Sequence, residues 1–131
     1  MVFPFDYEER IDPKYIGVPN VNFSIADEED EKDGEYKAQR LERGFDDSEL
    51  WNLDCTIAKF VLPRLKAFRV NPHGWPSRVC SYEEWLEILD KIIFALSYIA
   101  TEDDDDFTDE TYDKVENGLK LFGIYFRSLW D

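Results

Sequence analysis

A chain of 131 residues with 30 acidic and 15 basic side chains carries a formal charge of −15, and condensed phosphate would be repelled by most of such a surface, which excludes direct nucleic-acid binding. Its length suits one domain that buries roughly two-thirds of its unfolded surface, and 21 aromatic residues argue against wholesale disorder. No apolar stretch approaches the ~20 residues needed to cross a bilayer, and residues 1–10 lack the basic-then-apolar pattern of a signal peptide, so the sequence reads as a soluble intracellular protein.

The acids are unevenly placed. Residues 1–44 carry twelve acids against six bases, residues 45–100 eight against six, and residues 101–131 ten against three. In the first part, Pro4, Pro13 and Pro19 separate short aromatic or β-branched pieces such as residues 21–25, a pattern for a largely extended acidic arm with at most one short strand. The acidic stretch Asp27, Glu28, Glu29, Asp30, Glu31, Asp33, Glu35 gives way to residues 36–43. These form a helix-compatible run with Lys37, Arg40 and Arg43, stopped by Gly44.

Three helices are predicted over residues 47–69, 82–100 and 108–130, which makes the fold class all-α: a three-helix, bundle-like core (45–131) behind the arm (1–44). Asp46 stands three positions before Glu49, a capping-box spacing that starts the first helix. Leu50, Leu53, Ile57, Val61, Leu65 and Phe68 recur at three and four as its core face, widened by Trp51, Ala58 and Leu62. Pro63 predicts a kinked continuation. The prolines and glycine of residues 70–80 make a structured loop. Ser81 and Glu84 form a second capping box ahead of Trp85, Ile88, Leu89, Ile92, Ile93, Leu96 and Ile99. Glu102, Asp103, Asp104, Asp105 and Asp106 form an exposed acidic connection. The last helix presents Tyr112, Val115, Leu119, Phe122, Phe126 and Leu129, with residues 125–130 docked.

No catalytic, metal or cofactor signature emerges. Cys55 and Cys80 lack a CxxC partner or a histidine at ligand spacing and read as buried thiols. Counting Gly34 as the sixth position of a calcium loop puts Arg40 where a bidentate carboxylate is needed, so that template fails. His73 sits in the loop without a nucleophile motif, which favours packing over base catalysis. Asp54, near the predicted core face, calls for a cation such as Lys91 or Arg43. Lys59, Arg64, Lys66, Arg69 and Arg78 gather around the end of the first helix, where the dipole accounts for them better than phosphate contact does.

Several runs in order carry a resemblance: Arg43-Gly44-Phe45-Asp46-Asp47, Trp51-Asn52-Leu53-Asp54, Ile57-Ala58-Lys59, Leu62-Pro63-Arg64-Leu65-Lys66, Gly74-Trp75-Pro76, Glu83-Glu84-Trp85 and the ending Leu129-Trp130-Asp131. From about residue 36 onward the chain resembles a group of small acidic proteins encoded by tailed bacteriophages. The resemblance implies a phage origin and a host-cytoplasm setting, and it brings no activity with it.

Two functional expectations follow from the charge. The first is a non-enzymatic protein–protein interaction factor, in its sharp form a DNA-mimicking, anti-defence inhibitor. Asp27, Glu28, Glu29, Asp30, Glu31, Asp33, Glu35 and Glu102, Asp103, Asp104, Asp105, Asp106 would engage a basic host or phage protein. The alternative is a phage structural or assembly component, a homo-oligomer and part of the virion, joined through Phe3, Phe5, Tyr15 and Phe23 of the arm.

Overall fold

Capping residues mark several of the helix ends, at Gly44, Ser81 and Thr108. A computed structural model describes residues 23–101 and 108–130. It contains α1 (Asp33–Arg43), α2 (Ser48–Trp51), α3 (Leu53–Val70), α4 (Tyr82–Thr101) and α5 (Asp109–Tyr125), the last followed by a 3-10 turn at Phe126–Ser128. The described residues contain no strand, and the fold class is all-α. The arm up to residue 22 and the acidic connection at 102–107 lie outside the described residues. The chain divides into two compact units, Met1–Asn52 and Leu53–Asp131.

In the first unit the described part of the acidic region is turn and helix. Helix α1 starts inside the acidic run, three residues ahead of the expected Tyr36, because Asp33 and Glu35 in its first turn suit the positive end of the dipole. Gly44 ends it with φ 88°, a left-handed conformation that costs glycine nothing, and its N–H closes onto the Arg40 carbonyl at 3.0 Å. Tyr36 is buried and meets the Trp51 ring edge-on at 6.1 Å.

In the second unit α4 packs against both α3 and α5. Being covered on two sides, it buries Trp85, Ile88, Leu89, Ile92, Ala95 and Leu96, a wider face than a two-helix contact requires. Ser81 Oγ accepts from the Glu84 N–H at 3.1 Å, but the Glu84 carboxylate reaches back to the N–H of Cys80, one residue beyond the reciprocal box. Thr108 caps α5 by accepting from the Thr111 N–H at 3.1 Å.

The expected first helix is two helices, because Asn52 (φ −125°, ψ 70°) leaves the α region. Helix α3 then runs through Pro63 without interruption. The buried face of α3 is Cys55, Ala58 and Leu65, flanked by partly buried Val61, Leu62 and Phe68, whereas Leu50, Trp51, Leu53 and Ile57 are exposed. The segment is apolar around most of its circumference, so periodicity had two acceptable stripes. Small Ala58 on one of them lets α4 approach.

On α5, Val115, Leu119, Phe122 and Leu129 are core residues as expected, but Tyr112 and Phe126 are exposed and Tyr125 packs inward, edge-on to Trp85 at 5.5 Å. After Tyr125 the chain continues as the 3-10 turn at three residues per turn, so the α-helical spacing that linked Phe126 to Leu129 does not carry through. Cys55 is a buried thiol, and Cys80, against expectation, is exposed in the loop.

Candidate functional site

Ahead of the acidic segment lies a buried polar hub in the first unit. Asp46 is fully buried. Its Oδ1 accepts from the N–H (2.9 Å) and the hydroxyl of Ser48, and its Oδ2 accepts from the Ser24 hydroxyl (2.7 Å) and from Nη1 of buried Arg40. Glu49 completes the capping box by accepting from the Asp46 N–H at 2.6 Å. An uncompensated carboxylate at this depth would be prohibitive; the arginine and the three further hydrogen bonds offset its desolvation. Burial pushes the Asp46 carboxyl up, but the bonds from Ser48, Ser24 and Arg40 outweigh it and hold the group below its ordinary 3.8.

Glu49 goes the other way. Burial raises it above its ordinary 4.5, and the Asp46 charge adds to this against the Asp46 N–H and the charges of Arg40 and Arg43. Its contribution to stability is therefore complete below 4.5 and is lost as pH rises through the raised folded value. Glu49→Gln keeps the acceptor and removes the titration. Thermal melts from about pH 4 to about pH 8 should show wild type losing ground to the variant as pH rises; parallel curves would contradict this assignment.

Around the hub, Gln39 and Asp47 exchange two hydrogen bonds, Gln39 Nε2 to Asp47 Oδ2 (2.9 Å) and Asp47 N–H to Gln39 Oε1 (2.8 Å). Arg43 bonds Asp47 Oδ1 at 2.7 Å and lies over the Phe45 ring. The Arg43 and Gln39 bonds hold the Asp47 carboxyl below its ordinary value.

The acidic segment leaves this hub directly. Ser24, bonded to Asp46, also accepts from the Ala26 N–H at 3.1 Å. Two successive Asx-type turns follow. Asp27 accepts from the Glu29 N–H through Oδ1 and from the Asp30 N–H through its carbonyl, both at 2.9 Å. Asp30 repeats the pattern with the N–H groups of Lys32 (2.8 Å) and Asp33 (3.0 Å). Asp27, Glu28, Glu29, Asp30, Glu31 and Glu35 are exposed; Asp33 is half-buried and pairs with Lys37 at 3.0 Å. The structure thus brings together the first seven expected residues on one turn-and-helix segment, while Glu102, Asp103, Asp104, Asp105 and Asp106 lie outside the described residues.

Other expectations change. Asp54 is exposed, and its Oδ1 accepts the N–H of Cys55 at 2.9 Å, while Arg43 serves Asp47. Among the described residues the buried ion pair is Arg40 with Asp46. Among the five bases, Arg69 makes a two-pronged bond to Asp90 (2.7 and 3.0 Å) that ties the end of α3 to α4, and Arg64 bonds the Phe60 carbonyl and covers its ring at 3.8 Å. Arg78 lies over the Tyr125 ring at 5.0 Å.

His73 is exposed and lines a cleft of about 510 Å³ in the second unit, together with Trp75, Pro76, Arg78, Ser128 and Trp130. Sequence reasoning missed both this cleft and the hub. The six-residue spacing of Arg40 and Asp46 around a helix-ending glycine was the available signal for the hub. Nothing in the order of residues joins the loop at residue 75 to the chain at 130. Among the described residues, no group of three or more His, Cys, Asp or Glu converges to hold a metal, and no helix is long and apolar enough to cross a membrane. No family model, curated protein or solved structure matches the chain.

Proposed function

We propose that the protein is a non-enzymatic, phage-encoded interaction factor that binds a basic surface of a host protein in the host cytoplasm through Asp27–Glu35. The observation that carries this reading is the pair of side-chain-closed turns at Asp27 and Asp30, which hold a run of exposed carboxylates in fixed positions beside a buried anchor. A mimic of a charged polymer needs that property. Carboxylates on a freely moving loop pay an ordering cost on binding, whereas a pre-set array spends its charge on attraction and orientation. The grooves of nucleic-acid enzymes and defence complexes are basic surfaces of the right sign, and steering by dense negative charge accelerates encounter with them.

The test is affinity capture of the tagged protein from infected host lysate, washed with rising salt. It is run in parallel with a variant carrying Asn or Gln at Glu28, Glu29, Glu31 and Glu35, which leaves the turn-closing Asp27 and Asp30 intact. A stoichiometric basic partner should elute as salt rises, and the variant should retain less than about a tenth of it. Equal capture by both proteins, or recovery of nothing but the bait and phage structural proteins, would remove the acidic segment from the interaction and move the weight to assembly.

A further inference from the structure

The cleft between the loop after α3 and the end of the chain after α5 belongs to the second unit alone and is independent of the acidic surface. Two of its walls are indoles. Trp75 is 49 % exposed and Trp130 75 % exposed, so two large aromatic surfaces face water in a single concavity, which is costly unless something covers them. Trp75 is steadied by an edge contact to Tyr82 at 6.1 Å, and the loop that carries it is pinned by buried Pro72 and Val79 and by the turn bond from the Val79 N–H to the Pro76 carbonyl at 2.9 Å.

Among the described residues that line the cleft, Arg78 carries charge and no acid is present. Between Asp54 and Glu83 the sequence carries five bases and no acid. Arg69 and Arg64 are engaged within the unit. Arg78 is held over the Tyr125 ring, which fixes its position without neutralising it, and among the described residues it makes no ion pair. Exposed Arg127 lies in the turn that leads to Trp130, while Glu83 and Glu84 open the neighbouring helix α4. Screening over ~8–10 Å confines the field felt by a small ligand to this neighbourhood.

We propose that this cleft binds a nucleotide-class anion, with a planar base packed on the indoles of Trp75 and Trp130 and a phosphate on the Arg78 guanidinium. The combination specifies the class. Flat indoles accept any base through stacking, and a guanidinium offers a phosphate paired donors in a fixed plane. Ser77 and Ser128 line the same space, and serine hydroxyls suit a ribose edge. A volume of about 510 Å³ suits one nucleotide. A long strand is excluded by the acidic remainder of the protein, which would repel every further phosphate.

The experiment follows the four tryptophan indole N–H signals by NMR as the intact protein is titrated with adenosine monophosphate, with adenosine and inorganic phosphate as separate arms. Adenosine monophosphate should shift the signals of Trp75 and Trp130 saturably and leave those of Trp51 and buried Trp85 in place. Adenosine and phosphate should each bind at least about tenfold more weakly. Trp130→Ala and Arg78→Gln, both at exposed positions, should keep the wild-type melting curve and weaken binding at least about tenfold. The proposal is overturned if the nucleotide moves no indole or all four alike, if either half binds as well as the whole, or if Arg78→Gln binds unchanged.

Discussion

Replacing Asp46 with Ala should open the first unit while leaving the second folded. The substitution removes the acceptor of Ser24, Ser48 and Arg40 together and takes the buried carboxylate away from a guanidinium that has almost no exposed surface. Breaking a buried ion pair from one side costs about 3–5 kcal/mol, and the lower end applies because Glu49, which feels the Arg40 charge, stands nearby. Hydrogen exchange read by mass spectrometry should show the amides of α1 losing protection by a factor of a hundred or so (about 3 kcal/mol). Asp46→Ala combined with Arg40→Leu should recover much of the loss, since an apolar replacement of both partners of a buried ion pair is less costly than removing one of them.

The pH dependence has a definite sign. Because the folded Asp46 carboxyl lies below its ordinary 3.8, its contribution is present above 3.8 and is lost as pH falls through the lower folded value. Glu49 acts in the opposite sense above 4.5, so the first unit should be most stable between these two influences. Protection in α1 that rises steadily from neutral pH down to strong acid would contradict the Asp46 assignment.

The second large effect lies at the contact of α4 and α5. Gly118 is buried, and a Cβ there would sit 2.5 Å from the Ala95 Cβ and in clash with the Lys91 carbonyl. Ala95 is itself fully buried, and the Lys91 carbonyl belongs to the helix backbone, so neither can swing aside. Gly118→Val should therefore force the helices apart at this contact and cost about 3 kcal/mol, the upper end of what overpacking usually costs. For a unit of this size the melting temperature should drop by roughly 10–20 °C, with the emission of buried Trp85 shifting red at the same midpoint. Gly118→Ala should cost less, because alanine returns up to ~1 kcal/mol of helix propensity. A Gly118→Val protein that melts at the wild-type temperature would show that the two helices do not meet here.

Both effects mark the limits of reading this chain in one dimension. Helix α4 was legible because local signals agree, Ser81 as the cap and apolar spacing at three and four through Trp85, Leu89, Ile92 and Leu96, and α5 was legible through Val115, Leu119 and Phe122. Gly44 as the end of α1 was equally plain, since a left-handed stop favours glycine. The acidic segment was visible as composition, and its neighbours in sequence are its neighbours in space.

What the sequence determined by itself was the all-α class, most helix boundaries and the place of the acidic run, all of which depend on interactions within a few residues of the chain. Only the tertiary structure decided which side of α3 is buried, because its apolar residues surround the helix and the choice belongs to the partner helix. The same holds for Gly118 as a point of contact and for Trp75 beside Trp130. Each depends on chain segments brought together by burial, a non-directional force that leaves no local periodic mark to read.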